Sequence, residues 1–399
     1  MTRSTMFQDR DVAVLLLSRS LRAFGFGLSA VIIALHLERR GLSAVLIGVA
    51  LAVGLAAASL SGLLFAILAA RLGRRLVLSL SGLLMAVAGL DLALAPTGWL
   101  LLLAGLTGML GLASIDLGPF ASVEQATLAD SAPASARNRV FARYSVLGAL
   151  AGAGGSLAAV IGGRDTGAAF GAYAVLGLLT AVLPLFLSTG AEASHRGGRV
   201  FGDLRPLAGL AALFALDAFG GGLVANAVIA YWLHVRFGAP SDVLGPVFAG
   251  IALLQAASYE VAGRLADRFG LINTMVFTHL PSNLLLLLVP FSPTLWVAVA
   301  VLLARFCLSQ MDVPARQAYV VSIVPAPERA GAVASTGALR GVAQAFGPVL
   351  AGAAIQSASL GLPFFIGGGV KAIYDLALYF GFRARKGEHE RSPRTVDPT

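Results

Sequence analysis

Gly263-Arg264-Leu265-Ala266-Asp267-Arg268-Phe269-Gly270 separates two apolar stretches, 242–262 and 272–291. Each is long enough to cross a bilayer as a helix, which takes about 20 apolar residues. The segment therefore reads as a tight polar turn between two membrane spans. Its end is echoed earlier in the chain: Arg268-Phe269-Gly270 matches Arg71-Leu72-Gly73 at an offset of 197. Other matches keep nearly the same offset. Leu21-Arg22-Ala23-Phe24-Gly25 aligns with Leu216-Asp217-Ala218-Phe219-Gly220 at 195, and Gln125-Ala126 with Gln317-Ala318 at 192. The shift of 192 also pairs Pro133 with Pro325, Arg137 with Arg329 and Gly155 with Gly347. Matches that share an order and an offset indicate two halves related in parallel by an axis along the membrane normal.

Working outward, twelve apolar stretches emerge, at roughly 12–35, 44–69, 76–95, 98–127, 141–162, 167–188, 207–233, 242–262, 272–291, 294–320, 331–356 and 361–382. The chain of 399 residues is 57% hydrophobic and only 12% charged, against about a quarter charged in soluble domains. The 47 glycines suit close helix contact in a bilayer. Turn signals such as Pro96-Thr97-Gly98 and Ser292-Pro293-Thr294 punctuate the spans. The expected fold is all-α and integral to the membrane, with twelve helices in two pseudo-symmetric six-helix bundles. The bundles are expected at 1–188 and 207–385, joined by a polar linker at 189–206 and followed by a tail at 386–399.

Basic residues set the orientation. With the N-terminus in the cytoplasm, most Lys and Arg fall in the two tails and the even-numbered loops, while the opposite side holds Arg39, Arg40, Arg164 and Arg236. This asymmetry predicts cytoplasmic termini in the cell membrane. It also accounts for the net charge of +9 without nucleic acid. The single Cys307 excludes an intrachain disulfide framework. The sequence shows no phosphate-binding loop, metal-ligand cluster or catalytic constellation, so no enzyme activity, cofactor or ATP-driven cycle is expected.

The turn at 263–270 resembles the signature loop of the major facilitator superfamily, a Gly-x-Leu-Ala-Asp-Arg-x-Gly pattern followed by basic residues. The first-half equivalent, Ala69-Ala70-Arg71-Leu72-Gly73-Arg74-Arg75, keeps the Arg, the Gly and the basic pair but carries Ala70 in place of Asp. Pro327-Glu328-Arg329 is similar to the family's acidic element between the tenth and eleventh spans. The resemblance covers essentially the whole chain and implies a secondary transporter. It assigns a cytoplasmic gate to Arg71, Gly73, Arg74, Gly263, Asp267, Arg268, Gly270, Glu328 and Arg329, with Arg268 pairing Glu328 in one state. The alternative role for these residues is to set topology in short turns.

A charge at the bilayer centre costs about 2.5–3.5 kcal/mol on insertion scales and is normally turned inward and paired. Within the spans lie Arg19, Arg22, Arg305, Arg316, Arg340 and Lys371, with Asp91, Asp116, Glu124, Asp217, Asp312 and Asp375. Arg305, Ser309, Asp312 and Arg316 follow i, i+4, i+7 and i+11, a polar stripe on one helix face. Arg340 and Gln344 are four apart on the eleventh span. The expected substrate or proton site comprises Arg22, Asp116, Asp217, Arg305, Asp312, Arg340 and Gln344. Arg22 and Asp217 hold matching repeat positions, and helices 1 and 7 face each other across the cavity in this family, so a cross-cavity ion pair is expected. Glu124 and Arg316 lie nearer the cytoplasmic ends and read equally as a structural pair or gate and as substrate contacts. Lys371 and Asp375, four apart, are expected to pair within their helix. His279 reads as a packed residue.

The expected activity is gradient-driven transport of a small solute by a functional monomer, proton-coupled and efflux-like, with Asp116, Glu124 or Asp217 as proton carrier. An organic-anion carrier using Arg22, Arg305 and Arg340 is the alternative. So is a transport-inactive receptor or assembly subunit on the same fold.

Overall fold

The computed structural model describes residues 3–95, 100–112, 119–131, 137–192, 208–322 and 329–383. Sixteen helices follow in order: α1 (Arg3–Arg39), α2 (Ala44–Leu72), α3 (Arg74–Leu94), α4 (Leu100–Leu106), α5 (Pro119–Ser131), α6 (Arg137–Gly162), α7 (Thr166–Val182), α8 (Thr189–Glu192), α9 (Ala208–Leu223), α10 (Asn226–Phe237), α11 (Ser241–Phe269), α12 (Leu271–Leu288), α13 (Leu295–Leu308), α14 (Asp312–Ser322), α15 (Arg329–Gln356) and α16 (Leu362–Phe382). No strand occurs among the described residues. Nine helical runs among them are long and apolar enough to cross a membrane. Large apolar side chains face outward along the bundle, among them Leu60, Leu94, Ile161, Phe291, Trp296 and Phe380. Such a surface is unfavourable in water and suited to lipid. The protein is a multi-pass, all-helical membrane protein.

Local chemistry sets many helix ends. Ser43, Asp165 and Thr294 each accept a hydrogen bond from the backbone N–H three residues on, at Leu46, Ala168 and Val297, satisfying a donor that the first helical turn cannot use. Three expected spans are interrupted. The fourth divides into α4 and α5, the seventh breaks at Val224-Ala225 between α9 and α10, and the tenth breaks at Ser309–Met311 between α13 and α14. Apolar periodicity does not reveal such breaks. At one of them the freed backbone is satisfied across the bundle, where Ala227 N–H donates to the Leu112 carbonyl at 3.3 Å.

The turn at 263–270 is shorter than its sequence suggests. Helix α11 runs through Gly263 to Phe269, and Gly270 alone separates it from α12. Gly73 does the same between α2 and α3. Their backbones nearly coincide, at φ 93, ψ 153 for Gly73 and φ 86, ψ 161 for Gly270, a region essentially reserved for glycine. Each caps its preceding helix by donating to the carbonyl four residues back, Ala69 and Ala266.

The repeat is visible in the packing. In the first half α1 packs on α6 and α3 on α7; in the second α9 packs on α15 and α12 on α16. The halves meet through α2 against α15 and α6 against α11, positions exchanged by the same repeat. Small residues permit the approaches. A Cβ on Gly27 would lie 2.0 Å from the Gly152 carbonyl oxygen, and one on Gly222 would lie 1.9 Å from that of Gln344. Those two contacts are repeat equivalents (222 − 27 = 195; 344 − 152 = 192). The glycines of the fifth span thus form a packing face.

Candidate functional site

Two clusters of buried charge occupy the interior, one in each half. In the first, α1 supplies Ser18 and Arg22, α5 supplies Glu124 and α6 supplies Tyr144. Arg22 Nη2 donates to Glu124 Oε2 at 2.6 Å, and both side chains are fully buried. Tyr144 Oη donates to the same oxygen at 2.8 Å, and Ser18 Oγ donates to Oε1 at 2.7 Å. Arg22 also lies over the Phe120 ring, 4.6 Å from its centroid. Both carboxylate oxygens are therefore satisfied, and the charge is neutralised by a close cation.

The second cluster centres on Asp217 of α9. Lys371 Nζ donates to its Oδ1 at 2.6 Å, and Arg340 Nη1 to its Oδ2 at 3.2 Å. Arg316 and His279 each approach to 3.7 Å. Arg316 also binds Asp312 one turn away. His279 Nδ1 is 2.9 Å from Asp375 Oδ1, and Asn283 Nδ2 donates to Asp375 Oδ2 at 2.8 Å. A recess of about 70 Å³ lies here, walled by Asp217, Arg305, Asp312, Arg316, Arg340 and Lys371, with Gln344 on its rim.

Several expectations change. Arg22 pairs with Glu124 and not with Asp217, because α5 lies beside α1 and brings an acid to it from within the same half. Lys371 and Asp375 do not pair with each other. Helix α16 lies close against α9 at Gly220 and Gly367, so Lys371 reaches Asp217, while Asp375 turns to His279 on α12. His279 is packed, as expected, yet it also links two acids. Asn283 is not among the residues expected from the sequence; its i, i+4 spacing from His279 is the signal there that marks this face of α12. Asp116 lies outside the described residues.

The gate residues separate. Arg74 is buried and donates to the Ala191 carbonyl at 3.2 Å, and Arg75 donates to that of Leu187. Leu187 ends the sixth span, where a positive charge is favoured, and Ala191 lies in α8 just beyond it; this is a tie within the first half and the start of the linker. Arg71, Gly263 and Arg268 are exposed. Glu328 and the side chains of Asp267 and Arg329 lie outside the described residues.

A larger cavity of about 760 Å³ lies between the halves. Its walls include Phe26, Leu55 and Phe141 from the first half and Phe248, Gln255 and Tyr259 from the second. Val313 lines both this cavity and the recess. At the end bearing Glu38 the halves are joined: Tyr231 Oη donates to Glu38 at 3.2 Å, and His234 Nε2 is 3.2 Å from the same carboxylate.

The sequence profile of the Major Facilitator Superfamily matches residues 15–215 and again 207–398. An uncharacterized membrane protein of Saccharomyces cerevisiae is 24% identical over 93% of each chain. Among solved structures, the nucleoside transporter NupG superposes with a TM-score of 0.74 at 12% identity, covering 94% of this chain and 99% of that one. A D-xylose–proton symporter gives 0.71 at 17% identity, covering 92% and 97%.

Proposed function

Because this chain belongs to the Major Facilitator Superfamily, a family of transporters and not of enzymes, we propose that it carries a small solute across the cell membrane by alternating access. One observation carries the reading: two repeat-related bundles enclose a central cavity of about 760 Å³ into whose walls each half brings buried, functional-group-bearing side chains. Rocking the bundles about such a site exposes it to each side in turn. The purified monomer in liposomes, loaded on one side with candidate solutes, tests it. Gradient-driven uptake or counterflow supports transport. A protein that binds solutes without moving any of them is a receptor on this fold.

Proton coupling is assigned to Glu124, in place of Asp217. The carboxylate of Glu124 is held by Arg22, Tyr144 and Ser18, drawn from two other helices. Movement of α1 against α5 would open that set and leave a buried carboxylate that neutralises by binding a proton. Asp217 stays compensated by Lys371 and Arg340 if any one other partner leaves. One structural neighbour is itself a proton symporter. At the end carrying Gly73 and Gly270, proposed to be cytoplasmic, Asp267, Arg268 and Glu328 form the gate in this reading. Arg268→Ala should slow the cycle and leave solute affinity unchanged; a wild-type rate would reduce the residue to a topology signal.

A further inference from the structure

Arg305 is the buried cation that the second cluster does not use. It sits in the last turn of α13, 5% exposed. Its Nε and Nη1 are buried and have no hydrogen-bond partner among the described residues. One turn on, Ser309 is 4% exposed, and its Oγ is likewise buried without a partner. Both line the recess beside Asp217. The guanidinium lies over the Phe306 ring, 4.5 Å from its centroid, and near Asp217 without a salt bridge to it. Neither contact takes up its buried N–H groups, and buried hydrogen-bonding groups are nearly always satisfied. Two such residues on one helix face, facing the same recess, require a ligand that accepts hydrogen bonds.

Charge fixes the kind of ligand. Four cations line the recess, Arg305, Arg316, Arg340 and Lys371, against two carboxylates, Asp217 and Asp312. Each carboxylate already holds its own cation: Lys371 and Arg340 on Asp217, Arg316 on Asp312. Arg305 is left over. A cationic solute head would meet an uncompensated guanidinium, and a neutral one would leave that charge standing. An anionic head satisfies the orphaned donors and offsets part of the excess of two positive charges (4 − 2 = 2), and charge-assisted hydrogen bonds of this kind are the strong ones.

Size and surroundings fix the rest. The recess, about 70 Å³, has room for a small head such as a carboxylate or phosphonate. It adjoins the main cavity at Val313, where Phe26, Phe141 and Phe248 offer apolar walls. We infer that the solute is a small organic anion, its acidic head bound by Arg305 and Ser309 in the recess and its apolar body lying in the central cavity. This rests on the transport reading above and narrows its substrate class. Arg22, engaged by Glu124, is not part of the head-group site.

The test is binding by the full chain in detergent, which needs no transport. Thermal unfolding is followed in zwitterionic buffer with benzoate, phenylphosphonate, the neutral benzamide and the cationic benzylamine. At ligand well above its dissociation constant, linkage gives a rise in Tm of about 2 °C for the two anions and none for the other two. Arg305→Gln should abolish the rise, while Arg236→Gln, on the exposed outer surface, should keep it. In the ligand-free protein Arg305→Gln should leave Tm unchanged or higher, because it removes an unsatisfied buried charge; a fall would make Arg305 a structural residue and overturn the assignment. So would equal shifts with benzamide, no shift with either anion, or an anion shift retained in Arg305→Gln. Arg305→Lys, which keeps the charge, is the second arm: about tenfold weaker anion binding is expected from the lost planar fork, and wild-type affinity overturns the site. Anion binding without counterflow in liposomes would defeat the transport reading and leave this one standing.

Discussion

The two interior clusters occupy equivalent places in the two halves, with the signs of charge exchanged at matching positions. Arg22 and Asp217 are related by 217 − 22 = 195, and Glu124 and Arg316 by 316 − 124 = 192, the offsets that relate the halves as a whole. The first-half pair of cation on α1 and anion on α5 becomes anion on α9 and cation on α14. The positions are retained and the polarity is reversed, while the separation lengthens from 2.6 Å to 3.7 Å because Arg316 is held by Asp312. The surroundings differ more. Glu124 is closed off by two hydroxyls at hydrogen-bond distance. Asp217 sits among four basic groups with a recess at its side. One half thus holds a sealed ion pair that can open, and the other an open, cation-rich pocket that can be filled. The proposed division of labour places the proton in the first half and the anionic solute in the second.

The largest expected effect tests that division directly. Glu124→Gln should lower gradient-driven accumulation by more than about tenfold, while exchange at equal concentrations survives, since exchange moves no net proton. Measuring both modes in liposomes decides it; pH-dependent accumulation at the wild-type level would move the carrier elsewhere, with Asp116 next. Exchanging the pair as Arg22→Glu with Glu124→Arg should preserve folding and still abolish accumulation. Recovery of both would make the pair purely structural.

Asp217→Asn should act on stability. Removing the acid leaves Lys371 and Arg340 buried without their counter-charge, and breaking a buried pair costs about 3–5 kcal/mol. A lower Tm and poor expression are expected, with unchanged pH dependence in whatever protein folds. A well-folded variant that lost only its pH dependence would reverse the division.

Gly73→Ala and Gly270→Ala sharpen the symmetry beneath the difference. Both need a backbone region that L side chains avoid, so each should cost about 1–3 kcal/mol. Nearly equal falls in Tm are expected, since the two dihedral pairs nearly coincide. A large inequality would mean that one turn relaxes as the other cannot.

The smallest effect concerns the end where the halves join. Tyr231→Phe removes one hydrogen bond to Glu38, worth about 0.5–1.5 kcal/mol. It should favour opening of that end by a few-fold, readable as faster labelling of a cysteine placed at Ala30 on the cavity wall. An unchanged rate would free Tyr231 from any closing role.

Much of this was legible in one dimension. Span length depends on bilayer thickness and apolar composition, both of which can be counted along a chain. The repeat could be read from Gly155 and Gly347, or Arg71 and Arg268, because equivalent packing imposes equivalent residues. Arg22, Asp217, Arg305, Arg340 and Gln344 stood out because a buried charge or amide among apolar neighbours is costly and therefore informative. The helix breaks did not stand out, since Val224-Ala225 is as apolar as its flanks and its freed backbone is satisfied by a residue far away in sequence.

Partner choice was beyond the sequence's reach. Matched repeat positions put Arg22 and Asp217 in equivalent places, and equivalence under a two-fold relation does not imply contact. Lys371 and Asp375 are correctly spaced for an intrahelical pair, yet each finds a nearer partner on another helix. An ion pair forms where two helices bring charges within a few ångströms, and that distance is set by packing. The sequence by itself determined the membrane-spanning class, the two-fold repeat and which charges lie inside. Only the tertiary structure decided which of them neutralise one another and which, at Arg305, keeps buried donors without a hydrogen-bond partner among the described residues.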